Sequence, residues 1–401
     1  MQGAAVCIDN DSGRVVAIVG GREQESEGYT LNRGFQSFRQ PGSAIKPLAV
    51  YTPAFEQGYI PESIVNDTKF EGGPRNSGGS YLGKMKLQRA IELSKNTVAW
   101  KLFEELTPKV GLSYLLKMNF SKISASDYVP AASLGGLTVG ASPVEMAAAF
   151  ATLENDGYYR VPTCIIKIMD SEGNEIVGDE METKQIYQMK ASRIMTEALT
   201  GVIKNGTARK LGLTYTLSAG KTGTTNDKKD GWFVGYTPYY TTSVWVGYDM
   251  PKPVKDLSGA SYPGTIWHDF MDQIHDASMK KEFELYDWRT EWKAKLEEER
   301  QKALEEAQEK ALKEEQEQEE QEIQVEDEPD LDIEPEQNTG DEENGTAIDD
   351  NSETTPEMPA DEEESEDVVE DDTQEEDAEE EQQSEEGVES GEPSIEEPSE
   401  G

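Results

Sequence analysis

No lysine or arginine follows Lys313, and residues 314–401 carry 42 carboxylates. A segment of that kind repels itself. With no Trp, Tyr or Phe after Trp292, it also lacks the apolar surface that could offset the entropy of ordering. Residues 323–401 are therefore expected to form a disordered acidic tail. Almost the whole net charge of −45 belongs to it, because the first 313 residues hold 40 acids against 37 bases. That body has an ordinary globular balance. Without clustered Lys and Arg it offers no footprint for a phosphate backbone, which argues against nucleic-acid partners.

A body of this length suits one large domain, expected over residues 1–285. Cys7 and Cys164 are the only cysteines and lie far apart, so neither a disulfide framework nor a thiolate metal site is supported. His268 and His275 fall in one apolar helical segment and read as packing residues, leaving little material for a Ser-His-Asp triad or a histidine metal centre. Gly72-Gly73 and Gly135-Gly136 lack the Lys-Ser/Thr ending of a phosphate loop, and the tail has no Asp-x-Asp-x-Asp-Gly calcium loop. No metal and no cofactor are expected. No apolar run approaches the ~20 residues needed to cross a bilayer, and no signal peptide opens the chain. Its first strand instead begins almost at once, with Ala4-Ala5-Val6-Cys7-Ile8. A chain that starts inside a sheet is expected to continue upstream.

After a hairpin through Asp9-Asn10-Asp11-Ser12-Gly13 into Val15-Val16-Ala17-Ile18-Val19, the pattern turns helical. Apolar residues at spacings of three and four predict helices over 47–57, 87–106, 110–118, 143–155 and 190–203. Short aromatic and β-branched runs then predict strands over 215–219, 231–236 and 240–247. Strands at both ends of a helical middle predict an α/β (α+β) fold: an antiparallel sheet whose first and last strands meet, flanked by helices. Over 286–322 the composition narrows to Glu, Lys, Gln, Ala and Leu, predicting a charged, solvated helix.

The chemistry begins at Gln40-Pro41-Gly42-Ser43-Ala44-Ile45-Lys46-Pro47. Pro-Gly ahead of a helix start places Ser43 in the first turn, and a spacing of three puts Lys46 on the same face. A serine hydroxyl needs a base to become a nucleophile. With no suitable histidine, a neutral lysine amine is the alternative, provided that burial or a second cation lowers its pKa. Ser-x-x-Lys alone carries no weight, since it also occurs at Ser218/Lys221 and Ser278/Lys281. Its company is what discriminates. Ser-x-Asn occurs once, as Ser94-Lys95-Asn96, and Lys-Thr-Gly once, as Lys221-Thr222-Gly223, followed by Thr224. In that order these are the three motifs of the penicillin-recognising serine acyltransferases.

Further segments extend the likeness: Arg75-Asn76-Ser77-Gly78-Gly79-Ser80-Tyr81-Leu82-Gly83, Ser133-Leu134-Gly135-Gly136-Leu137-Thr138-Val139-Gly140, Gly206-Thr207-Ala208-Arg209 and Asp230-Gly231-Trp232-Phe233-Val234-Gly235-Tyr236. Over roughly residues 3–275 the chain resembles the transpeptidase domain of class A (bifunctional) penicillin-binding proteins, with the penicillin-binding protein/serine β-lactamase-like fold. The resemblance implies Ser43 as the nucleophile toward the D-Ala-D-Ala end of a peptidoglycan stem peptide, and Lys46 as its base. Ser94 would relay a proton to an amine acceptor, and Asn96 would hold substrate and Lys46 in register. Lys221 would supply positive charge, Thr222 and Thr224 would bind the terminal carboxylate, and Gly223 would leave room for substrate against the strand. β-Lactam antibiotics would acylate Ser43. The family also implies a glycosyltransferase domain and a membrane anchor upstream, and a site of action on the extracytoplasmic face of the bacterial cell membrane.

Three functions stay open at this level: a DD-transpeptidase, a β-lactamase or DD-carboxypeptidase on the same fold, and a non-catalytic binding module. The intact motifs weigh against the last. Against hydrolysis stands the absence of any Glu-x-x-Leu-Asn segment, with no carboxylate at all between Asp127 and Glu145.

Overall fold

The computed structural model describes residues 1–22, 30–178 and 181–326. The acidic tail expected over 323–401 lies outside the described residues beyond Glu326. Five strands form the central antiparallel sheet: β1 (Gln2–Asp9), β2 (Val15–Val19), β3 (Ala219–Thr224), β4 (Asp230–Tyr236) and β5 (Tyr240–Gly247), ordered β2-β1-β5-β4-β3. The first strand pairs with the last along its whole length, from Gln2 opposite Gly247 to Asp9 opposite Tyr240. Strands more than 230 residues apart thereby close one sheet, as strands on either side of a helical middle predict.

The helices that place the site are α1 (Leu87–Glu92), α2 (Asn96–Leu106), α3 (Pro143–Glu154), α4 (Met189–Asn205) and α5 (Tyr262–Gln273). They cover both faces of the sheet. On one, α5 sets Trp267 against Phe233, with ring centroids 4.8 Å apart. On the other, α3 brings Phe150 to Tyr236, and α4 buries Ile194, Met195, Ala198, Leu199 and Val202, a helical stripe, beside β3. Burying each such aromatic or aliphatic side chain is worth roughly 1.5–3 kcal/mol, so this two-sided packing fixes β3 in depth and angle.

Two sequence expectations are corrected, and both corrections fall at the site. The single helix expected over 87–106 is two, α1 and α2, because Ser94 between them takes a left-handed backbone with φ +55°. Such a residue ends a helix, and it turns the Ser94-Lys95-Asn96 segment toward the sheet. The strand expected over 215–219 begins instead at Ala219 and runs to Thr224, carrying Lys-Thr-Gly inside it. Ala219, Gly220 and Gly223 give no β-propensity signal. Pairing with the aromatic strand β4 decides the conformation there.

A long helix, α6 (Trp288–Glu326), follows. Its exposed stretch bears pairs such as Lys302–Glu298 and Lys313–Glu309 one turn apart. Its first turn is different. Trp288, three residues past the expected domain end at 285, is buried in the main core and donates its indole N–H to Glu197 of α4.

Candidate active site

Ser43 lies in a 3-10 turn, Gly42–Ile45, that runs through Lys46 into a π-helical turn, Pro47–Tyr51, and then an α-helical one, Thr52–Glu56. Pro47 has no N–H to donate, and the wide turn suits that loss; Thr52 Oγ1 donates to the Pro47 carbonyl at 2.7 Å. Ser43 is part-exposed, Lys46 fully buried. Gly42, at φ +54°, lets two backbones touch: a Cβ there would stand 2.9 Å from the Thr224 carbonyl oxygen and 3.0 Å from its nitrogen. That contact brings the Ser43 and Thr224 main chains side by side.

The left-handed Ser94 presents two oxygens to one amine. Lys46 Nζ donates to the Ser94 carbonyl at 2.8 Å and to Asn96 Oδ1 at 2.7 Å, and lies 3.3 Å from Ser94 Oγ. From the other side, Lys221 Nζ donates to Ser94 Oγ at 2.9 Å. Ser94 therefore joins the two lysines.

Alternation along β3 explains the division of its residues. Lys221 and Gly223 face the helical layer that carries Ser43, whereas Thr222 and Thr224 face the opposite way. Thr222 Oγ1 is 2.7 Å from Thr207 Oγ1, and Thr224 Oγ1 accepts the Gly259 N–H at 2.9 Å. Both hydroxyls line the cleft. Gly223 does not, which corrects the reason expected for it: a Cβ there would meet the Pro41 carbonyl at 2.2 Å and Ala44 Cβ at 3.1 Å. The space it leaves is filled by the Ser43 turn, not by substrate.

Electrostatics follow from burial. Desolvation first, and the neighbouring Lys221 second, hold the Lys46 amine well below the usual lysine range. Burial alone lowers Lys221 to about 7. The second cation thus assists, but Lys46 would be driven toward its neutral form even without it.

Two cavities, of about 470 and 420 Å³, share Ser43, Arg75, Asn96 and Thr224. Among the described residues no Asp or Glu lies in the wall of either. A more apolar cavity of about 310 Å³, between Cys7, Val244 and Phe270, contains none of the motif residues and stands apart from the chemistry. The other two Ser-x-x-Lys serines line neither cleft cavity: Ser218 is buried with no partner for its hydroxyl among the described residues, and Ser278 is exposed on Asp276. His275 is buried between Thr237 and the Met271 carbonyl, and His268 sits on α5, so neither approaches Ser43. Among the described residues no group of three or more His, Cys, Asp or Glu side chains could hold a metal ion. No helix among them is long and apolar enough to cross a membrane.

Sequence reading missed the supports behind Ser94-Lys95-Asn96. Asp67, fully buried, accepts from Asn76 Nδ2 at 2.6 Å and from Leu82 N at 2.9 Å, pairs with Lys95 Nζ at 2.9 Å and takes the Thr97 hydroxyl as well. Asn76 Oδ1 in turn receives the Asn96 N–H at 2.8 Å. These donors hold the Asp67 carboxyl below the usual range against the opposing effect of burial. Asn76 lies in a segment that resembles the family, which was the available signal. Asp67 lies in none, and only the fold brings it there.

Residues 3–272 match the family model of the penicillin binding protein transpeptidase domain. The chain belongs to that family. Penicillin-binding protein 4 of Bacillus subtilis is 35% identical over 271 residues, 67% of this chain and 43% of the relative. Penicillin-binding protein 1F of the same organism is 40% identical over 283 residues, 68% of this chain and 39% of the relative. The chain thus spans about two fifths of the length of these curated penicillin-binding relatives. Among solved structures, the PonA1 protein of Mycobacterium tuberculosis in complex with penicillin V superposes with a TM-score of 0.61 at 25% identity, over 70% of this chain and 80% of that one. Penicillin-binding protein 1A of Haemophilus influenzae, at 24% identity and a TM-score of 0.63 over 71% of this chain and 49% of that one, shares the transpeptidase fold.

Proposed function

We propose that this chain is a serine D-Ala-D-Ala transpeptidase that crosslinks peptidoglycan stem peptides through an acyl-enzyme on Ser43 and is acylated there by β-lactams. The observation that carries the reading is the placement of Lys46. A neutral amine has two N–H groups and one lone pair. The Ser94 carbonyl and Asn96 Oδ1, the two nearest acceptors, take both N–H groups. The lone pair is left to take the proton of Ser43 Oγ, a hydroxyl with no hydrogen-bond partner among the described residues.

Ser43 attacks the carbonyl of the penultimate D-Ala as its proton passes to Lys46. The oxyanion that forms lies between the main-chain N–H groups of Ser43 and Thr224, which the Gly42 contact brings together. The C–N bond breaks, and the departing D-Ala takes a proton through Ser94 Oγ, the hydroxyl joining Lys46 to Lys221. Thr222 and Thr224 hydroxyls, backed by the charge on Lys221, bind the terminal carboxylate. An acceptor amine then enters, loses its proton along the same path, and displaces Ser43.

Transfer is favoured over hydrolysis by the carboxylate-free walls of both cavities. Asp127 and Glu145, which bound the carboxylate-free stretch, are engaged in capping Ser124 and Ser142. Among the described residues, water attacking the ester finds no dedicated base. The reading extends to the extracytoplasmic face of the cell membrane as the site of action, and to a class A arrangement with a glycosyltransferase domain and anchor upstream. The presence of a further domain outside this chain is what the share of the relatives' length that it spans supports.

The test is intact mass after mixing with benzylpenicillin and removing free drug. One adduct, mapped to Ser43, lost in Ser43→Ala and persisting for many minutes, is the expected result. Loss within seconds would point to a hydrolase, and no adduct to a binding module.

A further inference from the structure

Among the described residues no carboxylate lines either cavity at Ser43. Two cations do. Lys228 stands in the larger cavity, beyond the end of β3, and Arg75 is common to both. Arg75 belongs to the opposite wall from β3. Its carbonyl receives the Asn96 side-chain N–H at 2.8 Å, so its backbone is tied to the residue that also holds Lys46. Its side chain is exposed, and among the described residues its guanidinium has no ion pair, hydrogen bond or ring contact. A cation fixed at its base and free at its head, in a cleft cleared of acids, is placed to meet an anion that arrives with the substrate.

The terminal carboxylate is already served by Thr222 and Thr224, which border the larger cavity. Thr222 is absent from the smaller one, where Arg75 and Ser43 face Trp100 and Leu134 instead. A donor whose carboxylate end rests on the two threonines, with its scissile carbonyl at Ser43, continues past Asn96 and Arg75 on its acyl side. We propose that Arg75 is a specificity-determining residue that pairs with a second carboxylate, carried on a side chain of the donor ahead of the D-alanyl pair. The preferred donors are then stem peptides with a free acidic group at that place, not those with only neutral or basic side chains. A guanidinium suits this role because its planar fork meets a carboxylate with two parallel hydrogen bonds.

The inference rests on the acyl-transfer reading above, and penicillins separate the two. Carbenicillin bears a carboxylate on its acylamino side chain where benzylpenicillin has none. The second-order acylation rate constant of each is measured by intact mass on the full chain, in wild type and in Arg75→Gln, Arg75→Lys and Lys228→Gln. The ratio of carbenicillin to benzylpenicillin rates is expected to fall about tenfold in Arg75→Gln, as for loss of a charge-assisted bidentate pair, and to recover in part in Arg75→Lys. Lys228→Gln, a change in cleft charge at another position, should leave that ratio within about twofold. An unchanged ratio in Arg75→Gln, or an equal fall in Lys228→Gln, would overturn the assignment to Arg75 alone. Absence of an adduct with either drug in wild type would overturn the acyl-transfer reading and this inference with it.

Discussion

Lys46 and Lys221 approach one oxygen, Ser94 Oγ, at 3.3 and 2.9 Å, and both side chains are completely buried. Two amines this close cannot both hold a proton cheaply. Acylation needs Lys46 neutral, so its rate should rise with pH through a value well below the ordinary 10.5 of lysine. Lys221→Met removes a positive charge that lowers the pKa of Lys46. The rising limb of the acylation profile with benzylpenicillin should therefore move to higher pH, while burial keeps it below 10.5. A limb that stays in place or moves down would show that Lys221 does not act on Lys46 electrostatically.

Asp67 holds the turn that holds Lys46. Its pair with Lys95 is buried, with side chains 0% and 7% exposed, and breaking such a pair from one side costs about 3–5 kcal/mol. Asp67→Asn is expected to lower stability in urea by about 3 kcal/mol and, well below its melting temperature, to slow acylation by more than about tenfold. Normal acylation in a destabilised variant would make Asp67 a fold residue only.

Gly223→Ala tests whether β3 and the Ser43 turn are packed without slack. The added methyl would meet the Pro41 carbonyl at 2.2 Å, a backbone atom that cannot swing aside. A loss of about 1–3 kcal/mol in stability is expected, together with slower acylation as Ser43 is displaced from Thr224. Wild-type stability and rate would mean that the turn yields easily, contrary to the packing seen.

Truncation should separate the two ends of α6. A chain ending at Lys313 keeps Trp288 and every motif residue, and should acylate at the wild-type rate. A chain ending at residue 285 loses Trp288, which is 1% exposed in the core, and its indole bond to Glu197. It should be less stable by about 3–5 kcal/mol, the usual cost of removing a buried Trp. Equal melting temperatures for the two truncations would place Trp288 outside the folding unit.

The sequence by itself determined the fold class and the identity of the groups around Ser43, because three short motifs in one order leave few chemistries open. It also determined that the net charge belongs to the tail, since that is a matter of counting. The breaks were not legible. A helical pattern runs across 87–106, and only tertiary packing forces Ser94 to φ +55°, the conformation that aims its two oxygens at Lys46. The alanine and glycines of β3 carry no strand signal, and pairing with Trp232, Phe233 and Val234 supplies it. A glycine in Lys-Thr-Gly suggests room for substrate, whereas the alternation of β3 turns Gly223 toward Ala44. Asp67 stood in no motif, since its role comes from contacts with Asn76, Lys95 and Thr97, up to 30 residues away. The lysine pKa values likewise belong to the tertiary structure alone. The sequence names both amines, but only burial on two converging elements removes the water that would keep them charged.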